Sequence, residues 1–150
     1  MKKPLAFVLV GLLFLSFLSN GQTSEIFATS EGAIQGYDVA AYFTESKTVK
    51  GKKEFTANHA GETWYFASAE NLKTFIASPE KYKPQFGGYC AYGMSRGYKA
   101  KTDPEAWTIV EGKLYLNYNV DVRKIWNEKQ GELINKANAN WPTVKGGHMK

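Results

Sequence analysis

The spacing of apolar and polar positions changes character several times along this chain. Residues 4–18 are an apolar run behind the cationic start Met1-Lys2-Lys3, and small or polar Ser19-Asn20-Gly21 follow. That order describes a secretory signal peptide over residues 1–21. At 15 residues the run is shorter than the ~20 that span a bilayer. Cleavage near Gly21-Gln22, a periplasmic or secreted protein and no stable membrane span afterwards are the expectations. Residues 22–36 are small and polar and read as a flexible lead-in with one apolar contact at Ile26-Phe27. Tyr37-Asp38-Val39-Ala40-Ala41-Tyr42-Phe43 is compact and apolar, a short buried strand or single helical turn.

Two stretches then repeat one design. Glu54–His59 and Thr63–Ala67 are β-rich runs joined by Ala60-Gly61-Glu62, a short hairpin turn. Ser68 suits a helix N-cap, and Leu72, Phe75 and Ile76 at i, i+3 and i+4 give the following helix an apolar face. Ser78-Pro79 ends it, and Pro79-Glu80-Lys81-Tyr82 makes one further turn. Gly97–Lys101 is a weak strand candidate. Trp107–Val110 and Lys113–Tyr118 alternate around Glu111-Gly112, a second hairpin. Asn119 caps a helix expected to run to about Asn138, with Val122, Ile125, Trp126, Leu133 and Ile134 facing inward and Gly131 weakening its middle or splitting it in two. Trp141-Pro142 closes the folded part, which spans 37–142. Residues 143–150 are expected to be a disordered tail. The fold class is α+β: two small antiparallel hairpin-plus-helix units sharing one core.

Charge and composition narrow the function. The chain carries 19 basic and 14 acidic side chains, and loss of residues 1–21 removes two of the lysines. The bases are scattered, which together with export argues against a nucleic-acid partner. One cysteine excludes an internal disulfide. Aromatic residues, 15% of the chain, are expected to supply the core instead.

The candidate chemistry gathers at Phe86-Gly87-Gly88-Tyr89-Cys90-Ala91-Tyr92-Gly93-Met94. Cys90 and Met94, at i and i+4, share a face if this stretch is helical. Thiolate and thioether are soft donors suited to Cu(I), and His59 at the first hairpin turn is a possible third ligand. The same residues are also readable as a small buried hydrophobe, a core filler and an exposed turn residue. A reactive thiol is the remaining reading, but His59 is the only histidine of the folded part and a Cys-His pair needs it within reach. No spacing singles out a catalytic carboxylate pair; Asp38, in an apolar segment, is expected to cap a turn. No catalytic residue is assigned. Tyr89, Tyr92, Tyr98, Trp107, Tyr115 and Tyr118 are candidates to line a pocket for a small organic ligand, or to form the core.

Thr63-Trp64-Tyr65-Phe66-Ala67-Ser68, Phe75 and Ser78-Pro79-Glu80-Lys81-Tyr82 resemble the YHS domain, and Tyr37-Asp38-Val39 resembles its opening Asp-Pro-Val. Residues from Phe86 to Trp141, with Gly-Gly-Tyr-Cys-Ala and Lys-Leu-Tyr-Leu-Asn-Tyr-Asn, resemble the C-terminal extension of exported YHS-domain proteins. The resemblance implies a small module that binds or handles a soft metal such as copper, without catalysis of its own. Short YHS domains carry cysteines where this chain has Ala67 and Asn71, so the family's thiolates do not transfer. Cys90, Met94 and His59 are then the metal-ligand candidates. The alternative is an aromatic-lined binding module for a small organic ligand or a protein partner.

Overall fold

A computed structural model describes residues 24–150. The expected signal peptide lies outside the described residues, as do the first two residues of the expected lead-in. The architecture is α+β, with three two-stranded antiparallel sheets among the described residues. In chain order come β1 (Ala28–Thr29), β2 (Gly32–Ala33), α1 (Ala41–Thr44), β3 (Lys52–His59), β4 (Glu62–Phe66), α2 (Ala69–Ala77) and α3 (Pro79–Tyr82). A tight turn, Gln85–Gly88, leads to α4 (Ala91–Ser95), β5 (Trp107–Val110), β6 (Lys113–Leu116), α5 (Val120–Glu128) and α6 (Gln130–Val144).

Local sequence explains most of these elements. Both hairpins turn on a pair of left-handed residues, Ala60 and Gly61 at φ 52° and 78°, Glu111 and Gly112 at 51° and 73°. Such pairs match the twist of the flanking strands. Ser68 Oγ accepts from the Asn71 N–H at 3.1 Å and Asn119 Oδ1 from the Val122 N–H at 2.8 Å, capping α2 and α5 as their side chains suggest. In β4, Trp64 and Phe66 point into the core and Tyr65 does not, as strand alternation requires.

Two apolar clusters share the interior, and β6 stands between them. Leu114 and Leu116 join Ile34, Val39, Tyr42, Trp64, Phe66 and Phe75 on one side. Tyr115, pointing the other way, joins Phe86, Met94, Trp126 and Leu133. The second hairpin therefore serves both halves of the core, because successive strand residues face opposite ways.

Several expectations need correction. The lead-in, where described, is part of the packed fold: Ile26, Phe27, Ala33 and Ile34 are buried, and β1 pairs with β2. It docks on the turn before α4, where the Phe27 N–H donates to the Gly87 carbonyl at 2.8 Å. Gly87, at φ 64°, is required there because a Cβ would run into the Glu25 carbonyl. Ile76 is 59% exposed, since α2 is rotated to turn Asn71 and Phe75 inward. Ile125 is likewise exposed, and Trp126 alone in α5 is buried. The helix is split at Lys129, two residues before the Gly131 expected to weaken or split it, and α6 runs past Asn138 through Pro142. Tertiary contact explains the extension: the Asn140 amide donates to the Met94 and Ser95 carbonyls at 3.0 and 3.3 Å, and Trp141 and Val144 pack on the second cluster. Gly97–Lys101 forms no strand, only a single bridge from Lys99 to Met149. The tail expected to be disordered folds back there, where the Lys150 N–H donates to the Lys99 carbonyl and Lys99 Nζ to the Gly147 carbonyl, both at 3.0 Å.

Candidate functional site

Cys90 is the N-cap of α4 and is 2% exposed. Its Sγ accepts from the Gly93 N–H at 3.4 Å, and its thiol donates to Asn117 Oδ1 at 3.6 Å. That same oxygen accepts from the Tyr92 N–H at 3.0 Å, which fixes the orientation of the amide. Burial pushes the thiol pKa up, and the N–H groups of Gly93, Tyr118 and Tyr92 pull only partly against it. A protonated, enclosed thiol is a poor nucleophile and a poor ligand until it loses its proton.

Met94 lies in the same helical turn as Cys90, its N–H donating to the Cys90 carbonyl at 2.8 Å. It is fully buried in the second cluster, among apolar side chains. His59 has other partners. Its Nε2 is 3.4 Å from Glu80 Oε1, and its ring stands edge-on to Phe75 at 5.8 Å. The structure thus joins Cys90 with Met94 and gives His59 a separate setting against α2 and α3. Among the described residues no group of three or more His, Cys, Asp or Glu side chains is placed to hold a metal ion. The donor set does not fit a three-ligand soft-metal centre.

Asp38 caps a turn as expected, and does more. It is fully buried. Its Oδ1 accepts from the Ala40 and Ala41 N–H groups at 2.9 and 3.1 Å, at the start of α1. Its Oδ2 accepts from the Ala67 N–H and from Asn71 Nδ2, each at 2.8 Å. Ala67 and Asn71 are the two positions where the resemblance would place cysteines. Here they hold a carboxylate whose both oxygens are occupied, so this corner also does not fit a soft metal.

The aromatic side chains proposed as a pocket are dispersed: Tyr89 and Tyr115 are buried, Tyr92, Tyr98 and Trp107 partly so, and Tyr118 is exposed. Tyr89 packs on Phe27, Trp107 on Tyr42, and Tyr115 on Phe86 and Trp126. The structure instead opens a cleft of about 670 Å³ whose walls come from well-separated parts of the chain. Ser24–Ile26 form one side, the hairpin tip at Ala60 with Glu80 and Lys83–Phe86 a second, and Gly87 with Trp141 of α6 the third. Trp141 is half-buried, and Phe86 backs it edge-on at 6.1 Å. Phe86 holds a left-handed backbone, φ 57°, uncommon for a residue with a side chain. Sequence reasoning missed this cleft because its walls are far apart in the chain. The one available signal was a tryptophan followed by proline near the C-terminal end.

Residues 40–86 match the model of the YHS domain. The match covers α1, both strands of the first hairpin, α2, α3 and the start of the turn at Gln85. The family is often associated with the handling of heavy metals such as copper. No curated protein and no solved structure matches the chain.

Proposed function

We propose that the protein is an exported, non-catalytic binding module whose ligand lies in the cleft where the YHS domain meets the segments before and after it. The observation that carries this reading is the composition of the cleft walls. Residues from the YHS domain, the preceding segment and α6 converge on one space within the ~300–1,000 Å³ range of small-molecule sites. A handful of polar groups sits there beside an indole, the usual balance of orientation and contact area. Catalysis has no support: the single thiol is enclosed and protonated, and His59 is engaged with Glu80. The test is to alter the cleft and follow ligand-induced change at its own tryptophan. Binding that leaves Trp141 unaffected and survives Trp141→Phe would place the ligand elsewhere.

A soft-metal role is the second reading, favoured by the YHS match and by Cys90 and Met94 sharing one turn. It requires the thiol to give up its proton and its bonds to Gly93 and Asn117. Titration with Cu(I) under reducing conditions checks it. This reading expects about one equivalent, abolished by Cys90→Ser because a hydroxyl is a hard donor, and only weakened by Met94→Leu. Copper binding unchanged in Cys90→Ser would remove it.

A further inference from the structure

The charged groups of the cleft are matched within the protein. Glu80 lies 2.8 Å from Lys83 Nζ and 3.4 Å from His59, and Glu25 lies 3.6 Å from Lys145. An anionic ligand would meet two carboxylates. A cationic ligand would have to compete with amines already in place. Formal charge therefore selects neither, and a net-neutral ligand meets no desolvated like charge.

The remaining features concern shape and hydrogen bonding. The Trp141 indole, half-buried and backed edge-on by Phe86, is the aromatic group with most reach into the cleft and the one on which an apolar ligand face can rest. Around it stand the Gln85 amide, which makes no side-chain hydrogen bond among the described residues, and the carboxylates of Glu25 and Glu80. Carboxylate and amide oxygens accept, and the amide N–H₂ donates, so the rim suits groups that both give and take hydrogen bonds. Hydroxyls do this. A flat apolar ligand would satisfy the indole but make no use of the Gln85 amide or of the remaining lone pairs of Glu25 and Glu80.

We infer that the cleft takes a neutral, hydroxyl-rich ligand of the short-oligosaccharide class, one sugar face stacked on Trp141 and its hydroxyls bound by Gln85, Glu25 and Glu80. This rests on the cleft being the binding site. It adds the chemical class. Axial and equatorial C–H groups give a sugar ring an apolar face, and its hydroxyl edge supplies donors and acceptors in the plane around it. That pairing of one apolar face with a polar circumference is what the cleft presents.

The experiment uses the mature protein labelled with ¹⁵N and follows the four indole N–H signals, that of Trp141 being assigned by its loss in Trp141→Phe. Trp64 and Trp126 are buried, so they serve as internal references. The probes are maltotriose, cellotriose and N,N′-diacetylchitobiose, with citrate and 4-phenylbutyrate as charged and apolar comparators. The expected result is a saturable shift of the Trp141 signal with at least one neutral oligosaccharide and none with the comparators. By calorimetry, Gln85→Ala should weaken that binding by about tenfold, the effect of one lost hydrogen-bonding group. Trp141→Phe, which keeps a ring against Phe86, should weaken it while leaving the melting transition in place. A shift with citrate or 4-phenylbutyrate alone overturns the oligosaccharide assignment and leaves the cleft as a site. Oligosaccharide binding that leaves Trp141 still, or no shift with any probe, overturns both.

Discussion

Two corners of the molecule are built alike and differ in chemistry. Asp38 and Cys90 each begin a short helix, each is buried, and each is held by an asparagine from a distant element. At the first corner the match is complete. Asp38 receives four hydrogen bonds, while Asn71 accepts from Thr44 Oγ1 at 3.2 Å and also donates to Glu45 Oε2 at 3.3 Å. At the second corner a sulfur makes long contacts of 3.4 and 3.6 Å, and buried Asn117 Nδ2 has no partner among the described residues. A carboxylate with charge-assisted bonds anchors a fold strongly, and a neutral thiol does not. The first corner is therefore expected to be a structural keystone that ties the segment before residue 40 to α1 and α2. The second is a tolerant packing site, although it holds the residue that sequence chemistry singles out.

The largest expected effect tests the strong corner. Asp38→Ala leaves four donors facing an apolar gap and should destabilise by ~4 kcal/mol, measured by urea unfolding. A loss under ~1 kcal/mol would mean that water replaces the carboxylate there and that the corners do not differ in kind.

Next is Phe75→Ala, expected to cost ~3 kcal/mol. Phe75 packs on Trp64 and Phe66 with ring centroids 5.2 and 4.9 Å away, and it shares α2 with Asn71. A double-mutant cycle with Asp38→Ala should show coupling, because both substitutions loosen the same helix. Strict additivity would separate the polar anchor from the aromatic core.

A smaller effect appears in alkali. Burial, then the Glu105 charge, raises the Tyr42 pKa, and burial raises that of Cys90. For each group the folded state keeps its proton where the unfolded chain has lost it. The stabilisation is then fully present below the unfolded values, about 8.5 for the thiol and about 10 for the phenol, and is lost as pH rises above them towards the folded values. The urea midpoint should fall above about pH 9. Tyr42→Phe should flatten most of that fall and Cys90→Ser only its first part. An equal fall in both variants would refute the assignment.

The smallest effect tests the weak corner directly. Cys90→Ser should change stability by ~1 kcal/mol or less at neutral pH, since a hydroxyl accepts from Gly93 and donates to Asn117 at least as well. A loss as large as that of Asp38→Ala would make Cys90 a keystone after all.

Local signals located the elements well wherever the chain needed only its neighbours. Both hairpin turns carry glycine at the second left-handed position, Ser68 and Asn119 cap within their own helices, and β4 alternates Trp64, Tyr65, Phe66. The YHS stretch was legible for the same reason, since its motif residues lie close together in sequence. The candidate site was legible only in part. Cys90 and Met94 do share a turn, but the sequence has no means of expressing that the thiol is enclosed, or that His59 is bound to Glu80.

Period and capping, being local, determined from sequence alone the α+β class, the two long hairpins, the starts of α2 and α5, and the inward side of β4. Tertiary structure decided what distant partners impose. Asn71 turns α2 towards Asp38 and so exposes Ile76. Gly87 lets Glu25–Phe27 close over the turn before α4, so that Ile26 and Phe27, only a lone apolar pair in a polar segment by sequence, become a packed wall. Asn140 and Trp141 carry α6 through a proline because α4 and the second cluster reward the extra turn. Those last two events bring Glu25 and Trp141 to the same cleft. No local pattern encodes that meeting, because the free energy that produces it comes from surfaces buried between segments more than a hundred residues apart.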